Sequence, residues 1–103
     1  MVEIIKRLSE LSENDGMTLK NFKLIQYKTG WQVATSGIEA MNVQDAAAAI
    51  VSFNGNCGVW LSNGIYYIDK CHRVATKKEA LSIGRLHNQI SIFGWKTGKL
   101  AYC

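Results

Sequence analysis

Along the first turns of the chain the apolar residues Met1, Ile4, Ile5, Leu8 and Leu11 recur at helical spacing, with charges on the opposite face. This period predicts a helix over about residues 2–13. Asn14-Asp15-Gly16 ends it, and Gly16 is the residue expected to take the left-handed closing conformation. Phe22, Leu24, Tyr27 and Trp31 around Lys28-Thr29-Gly30 read as two strands joined by a tight turn. Asn42 with Asp45 three residues on caps a second helix, carried by Ala46–Ala49, Ile50 and Val51. Asn54, Gly55, Asn56 and Gly58 break it. Val59-Trp60-Leu61 and Ile65-Tyr66-Tyr67-Ile68 then flank Asn63-Gly64, the strongest short hairpin signal. Thr76-Lys77-Lys78-Glu79 is a capping box for a third helix through Ala80, Leu81, Ile83 and Leu86. Ile90, Ile92, Phe93 and Trp95 lead through Lys96-Thr97-Gly98 into Leu100-Ala101-Tyr102, a last hairpin.

The pattern predicts an α+β fold in the order α-ββ-α-ββ-α-ββ, a mainly antiparallel sheet with helices on one face. At 103 residues it predicts a single small domain: the N-terminal helix, hairpin-helix units over about 18–55 and 56–89, and a C-terminal hairpin over about 90–103. The turn glycines Gly30, Gly64 and Gly98 and the caps Asn42 and Thr76 recur at intervals of 34 residues. Superposing 22–55 on 56–89 matches only Gly30 with Gly64, Ala46 with Ala80 and Asn54 with Asn88, so the repeat is one of pattern. One local duplication stands out: an aromatic followed by Lys-Thr-Gly occurs at Tyr27–Gly30 and again at Trp95–Gly98.

Composition narrows the functional classes. Nearly half the residues are apolar and about a fifth charged, as in a folded globule. No apolar run approaches a membrane span, and the N-terminus lacks the basic start and unbroken apolar stretch of a secretory signal. Cys57, Cys71 and Cys103 are an odd set without a CxxC pair, which fits reduced thiols, and a cytoplasmic location is expected. The net charge of +4 is uneven: residues 1–16 carry −2, 17–56 carry +1, and the remainder carries +5. A basic face toward an acidic partner is one reading of that excess, and ordinary solvated lysines the other.

Catalytic motifs fail on inspection. Lys-Thr-Gly is a strand motif of serine β-lactamases, but no serine here has a lysine three residues later. Gly94 to Leu100 falls one residue short of a phosphate loop and has Leu100 where a hydroxyl would hold magnesium. Cys57, Cys71, His72 and His87 are possible zinc ligands, yet Cys71 and His72 on one strand point to opposite faces. A Cys71–His87 nucleophile pair would need an orienting third group. Only Asp69 and Glu79 are acidic after residue 45. No enzyme activity, metal or cofactor is expected.

What remains is aromatic residues interleaved with bases. Rings accept stacked bases and lysines neutralise phosphate, while the same rings can anchor a protein interface. The candidate binding residues are Lys28, Trp31, Lys70, Arg73, Lys77, Lys78, Trp95, Lys96 and Lys99. Core packing is the competing role for every apolar residue among them. Through the strand pair leading into Thr76-Lys77-Lys78-Glu79-Ala80, about a third of the chain resembles the arm-type DNA-binding domains of tyrosine-family integrases; Thr-x-x-Glu-Ala is chiefly a capping box, so this assigns no family. The expectation is a small non-catalytic interaction protein with a protein partner, such as a phage or mobile-element inhibitor of a host nucleic-acid-handling or defence protein, in the manner of anti-CRISPR proteins. The alternative is a nucleic-acid-binding module that uses the basic C-terminal half. No membrane partner is expected.

Overall fold

A computed structural model describes residues 2–103. Helix α1 (Val2–Glu10) forms because Ile4 and Leu8, one turn apart, are both buried, while Glu3 and Arg7 pair at 3.5 Å on the outer surface. Met1, which the periodicity adds to this stripe, lies outside the described residues. The helix stops at Glu10 rather than near 13, and Asn14 (φ 63), not Gly16, takes the left-handed conformation. Gly16 instead opens strand β1 (Gly16–Lys20), where a Cβ would meet the Trp60 ring and the Val59 carbonyl at 2.9 Å.

The remaining elements are β2 (Lys23–Leu24), β3 (Trp31–Ala40), α2 (Val43–Ser52), β4 (Cys57–Ser62), β5 (Ile65–Val74), α3 (Lys77–Leu86), β6 (Ser91–Gly94) and β7 (Lys99–Tyr102). Both predicted caps form: the Asn42 side chain accepts from the Asp45 N–H at 2.8 Å, and Thr76 Oγ1 accepts from the Glu79 N–H at 3.2 Å. The fold is α+β, and its seven-stranded antiparallel sheet has the order β2-β1-β4-β5-β3-β6-β7.

Two of the three expected hairpins form as read. In β4–β5 Asn63 (φ 54) and Gly64 (φ 74) make the tight turn, held by the Glu13 carboxylate, which accepts from both of their N–H groups. In β6–β7 the turn carries Gly98 (φ 69). The first differs. No hairpin closes across Lys28–Gly30; β2 turns back onto β1 through Asn21 (φ 49) and Phe22 (φ 66), while β3 lies between β5 and β6. Alternation identifies a strand but not its partner, and here the partner of β3 is remote in sequence.

The chain divides into two compact units. The first comprises the chain up to Ile25 together with Gly37–Lys70. Its core joins Ile4 and Leu8 of α1 to Ala46, Ala47, Ala49 and Ile50 of α2 and to Leu19, Cys57, Val59 and Ile68 of the strands. Alanines let the helix backbone approach closely, as their run predicts. The second unit comprises Gln26–Ser36 and Cys71–Cys103. Val33, Ala80 and Ile92 are its buried centre, packed by Trp31, Val74, Leu81, Ile83, Ala101 and Cys103. Gly84 lets α3 settle there, since a Cβ would meet Cys103 Sγ at 2.7 Å.

Two predictions follow from the first unit. Gly55 (φ 70) leaves no room for a side chain against the Phe22 backbone and ring, and its carbonyl accepts from Phe22 N–H at 3.1 Å. Gly55→Ala should therefore lower the unfolding free energy by about 1–3 kcal/mol, read by urea denaturation. Asp69 is half-buried beside Gly37, and desolvation raises its pKa above the usual carboxylate value. The folded state then holds this proton to a higher pH than the unfolded chain, so stability falls as pH rises through that window. Asp69→Asn should remove this fall, its melting temperature matching or exceeding the wild type's at neutral pH.

Candidate functional site

Eight of the nine candidate residues, Lys28, Trp31, Arg73, Lys77, Lys78, Trp95, Lys96 and Lys99, belong to the second unit. Lys70 belongs to the first, on β5 opposite Cys57. This division sharpens the charge asymmetry. The second unit has seven basic residues, Arg85 in addition to those named, against the single acid Glu79, for +6. The first unit carries −2.

The two copies of the aromatic-Lys-Thr-Gly motif come together. Tyr27 and Trp95 meet edge to face at 5.5 Å between ring centroids, and Trp95 packs in the same manner on Phe93 at 5.1 Å. The Trp95 N–H donates to the Gly30 carbonyl at 3.0 Å, so the backbones of the two turn segments are joined as well. The Trp95 indole N–H is buried among these rings without a protein acceptor among the described residues.

Arg73 closes the first turn. Its guanidinium lies over the Tyr27 ring at 5.7 Å, and its Nε and Nη2 donate to the Thr29 carbonyl at 3.2 Å and Thr29 Oγ1 at 3.1 Å. Gly30 (φ 89) makes room for it: a Cβ there would meet the guanidinium at 2.5–2.8 Å. A second cation, Lys77 Nζ, lies over the Trp31 ring at 5.7 Å. Register places these groups at one end of the unit. Trp31 pairs with Gly94 and Gly94 with Lys99, so the start of β3, the end of β6, the start of β7 and the turn bearing Lys96 are neighbours. Lys77 and Lys78 open α3 at that end, Lys77 reaching Trp31. Glu79 is engaged there, accepting from the Thr76 hydroxyl at 2.9 Å.

The strand faces differ in chemistry. Trp31, Val33, Val74, Ile92 and Ala101 pack with α3. Their neighbours Gln32, Arg73, Phe93, Leu100 and Tyr102 therefore turn to the opposite side, Phe93 standing opposite both Gln32 and Leu100. Sequence reasoning did not select Tyr27, Thr29 or Phe93 as site residues. The repeated motif was the signal for Tyr27 and Thr29, and the two-residue spacing of Phe93 from Trp95 was the signal for Phe93.

The site offers cations and ring faces, which suits binding of anions and of flat apolar groups. His72 Nε2 lies 3.4 Å from Thr35 Oγ1, and His87 caps the C-terminus of α3. Among the described residues no three His, Cys, Asp or Glu side chains gather as a metal site needs. No helix of the described residues is long and apolar enough to cross a membrane. Compared with protein-family models, with curated proteins and with solved structures, the chain has no significant match.

The Arg73 clasp predicts a measurable coupling. Arg73→Ala should cost about 1 kcal/mol of stability, and a double-mutant cycle with Tyr27→Leu in thermal or urea unfolding should return a coupling of about 0.5–1 kcal/mol.

Proposed function

We propose that the chain is a non-catalytic nucleic-acid-binding module whose second unit engages the phosphate backbone. The observation that carries this reading is the segregation of charge: +6 on the second unit against −2 on the first, with Lys28, Arg73, Lys77, Lys78, Lys96 and Lys99 brought to one end. A like-charged cluster with a single acid, Glu79, beside it opposes folding through self-repulsion, and a polyanion relieves it. Phosphate contacts of this kind release counterions, so binding weakens steeply with salt.

A protein partner is the second reading, favoured by Leu86 and Ile90 at 77% and 79% exposure on either side of the left-handed Asn88 (φ 56). Two large apolar side chains left in water at one loop are suited to anchoring an interface. An inhibitor of a nucleic-acid-handling or defence protein would use such a surface, and its contacts would respond less to salt.

Fluorescence-anisotropy titration of labelled oligonucleotides at about 50 and about 200 mM salt tests the first reading. Salt-sensitive binding at micromolar concentration or below is expected. The double variant Lys96→Glu and Lys99→Glu should weaken it about tenfold or more and reduce the slope of log affinity against log salt by about 1.5. Absence of binding at the lower salt refutes the reading and points to a protein partner.

A further inference from the structure

We propose that the ligand of the second unit is single-stranded nucleic acid, its bases laid on the face of β6 and β7 turned away from α3, with Tyr102 as the stacking residue. This rests on the nucleic-acid reading and names the form of the ligand. Three observations converge on that face.

First, α3 packs against the side of the second unit that carries Val33, Ile92 and Ala101, and the alternation along β6 and β7 sends Phe93, Leu100 and Tyr102 to the other side. Tyr102 is 75% exposed and Leu100 56% exposed, so large apolar groups there meet water. Such exposure on a folded strand wastes burial unless something covers it. Second, the exposed ring neighbours a supported aromatic array. Phe93 stands opposite Leu100, and Tyr102 follows two residues on, so Phe93 and Tyr102 are diagonal neighbours on one face, a spacing within reach of aromatic side chains. Behind Phe93 stand Trp95 and Tyr27, each edge to face with its neighbour. Phe93, held by Trp95, has little entropy left to lose on binding and extends the platform that Tyr102 opens. Third, the charge around it complements a phosphate chain. Lys96 lies in the turn that leads into this strand and Arg73 is anchored on Tyr27 at the far end of the array, while Lys99 stands at the head of the strand on the side of Ala101.

These features distinguish single strands from duplex. In a duplex the base faces are stacked on one another and unavailable, so a ring array adds nothing to duplex affinity. In a single strand each base offers a free face, and stacking on an aromatic side chain adds to phosphate neutralisation. β7 is also the last strand of the sheet, so a strand of nucleic acid can pass over its edge without meeting another β-strand.

The test uses the full chain and a labelled DNA of about twelve nucleotides, single-stranded and annealed to its complement, in anisotropy titrations at about 50 and about 200 mM salt. The single strand should bind more tightly than the duplex. Tyr102→Ala should weaken single-strand binding at least about fivefold and leave duplex binding unchanged, and Tyr102→Phe should retain wild-type affinity because the ring and not the hydroxyl is used. Tyr102 is exposed, and far-UV circular dichroism of both variants confirms that the fold is intact. Equal affinity for the two forms, tighter binding of the duplex, or an unchanged single-strand affinity in Tyr102→Ala overturns the inference and leaves backbone binding standing. No salt-sensitive binding of either form overturns both.

Discussion

Two strands have to satisfy two cores. β3 and β5, ten residues each, are neighbours in the sheet, and each contributes one part to either compact unit. On β3 Val33 is buried in the core with Ala80 and Ile92, and Ala40 in the core with Leu8 and Ile50. On β5 Ile68 belongs to the latter and Val74 packs against the former. Every other element serves one unit. The composition of both strands follows from this constraint: apolar side chains near the ends, and polar or small ones such as Thr35, Ser36 and Gly37 in the middle of β3. The same passage lets the chain segregate charge, because its acids are concentrated in segments assigned to the first unit and its bases in segments assigned to the second.

In the second unit the rings and the cations depend on each other. Trp31 and Tyr27 each carry a cation on one face, and Tyr27, Trp95 and Phe93 support one another edge to face. The small core of Val33, Ala80 and Ile92 has one large ring at its margin, Trp31, while Tyr27, Trp95 and Phe93 form a separate aromatic group in the same unit. Arg73 is spent on Thr29 and Tyr27 and so organises the loop, whereas Lys28, Lys96 and Lys99, set in the turns and at the head of β7, are exposed to solvent. One cation positions the turn and the others face outward, a division that matches the different geometries of guanidinium and ammonium.

Much of the local structure was legible from residue type. Asn42 and Thr76 had to cap helices because their side-chain oxygens meet N–H groups that a helix start leaves unpaired, and both do. Asn63-Gly64 had to turn, because both positions need positive φ. The candidate site was legible in its components, eight of nine residues falling in one unit, but not in its arrangement. Gly16 carries the local signal of a helix close, yet its value is to let β1 pass the Trp60 ring, a requirement set by a residue 44 positions away. Phe22 carries the pattern of a strand residue and instead takes φ 66 in the turn between β1 and β2, a conformation that residue preferences argue against for so bulky a side chain.

The sequence by itself therefore determined the three helices, the caps, two hairpins and the excess of bases in the later half, because each depends on neighbours within a few residues, whereas between α1 and α2 it predicts two strands and three form. The tertiary structure alone decided that β3 lies between β5 and β6, that the chain parts into units of opposite charge, and that the two Lys-Thr-Gly turns meet through Tyr27 and Trp95. Each of these joins residues tens of positions apart. Strand period records which side chains share a face but carries no information on which strand lies alongside, so pairing is settled by the burial available when the whole chain is assembled.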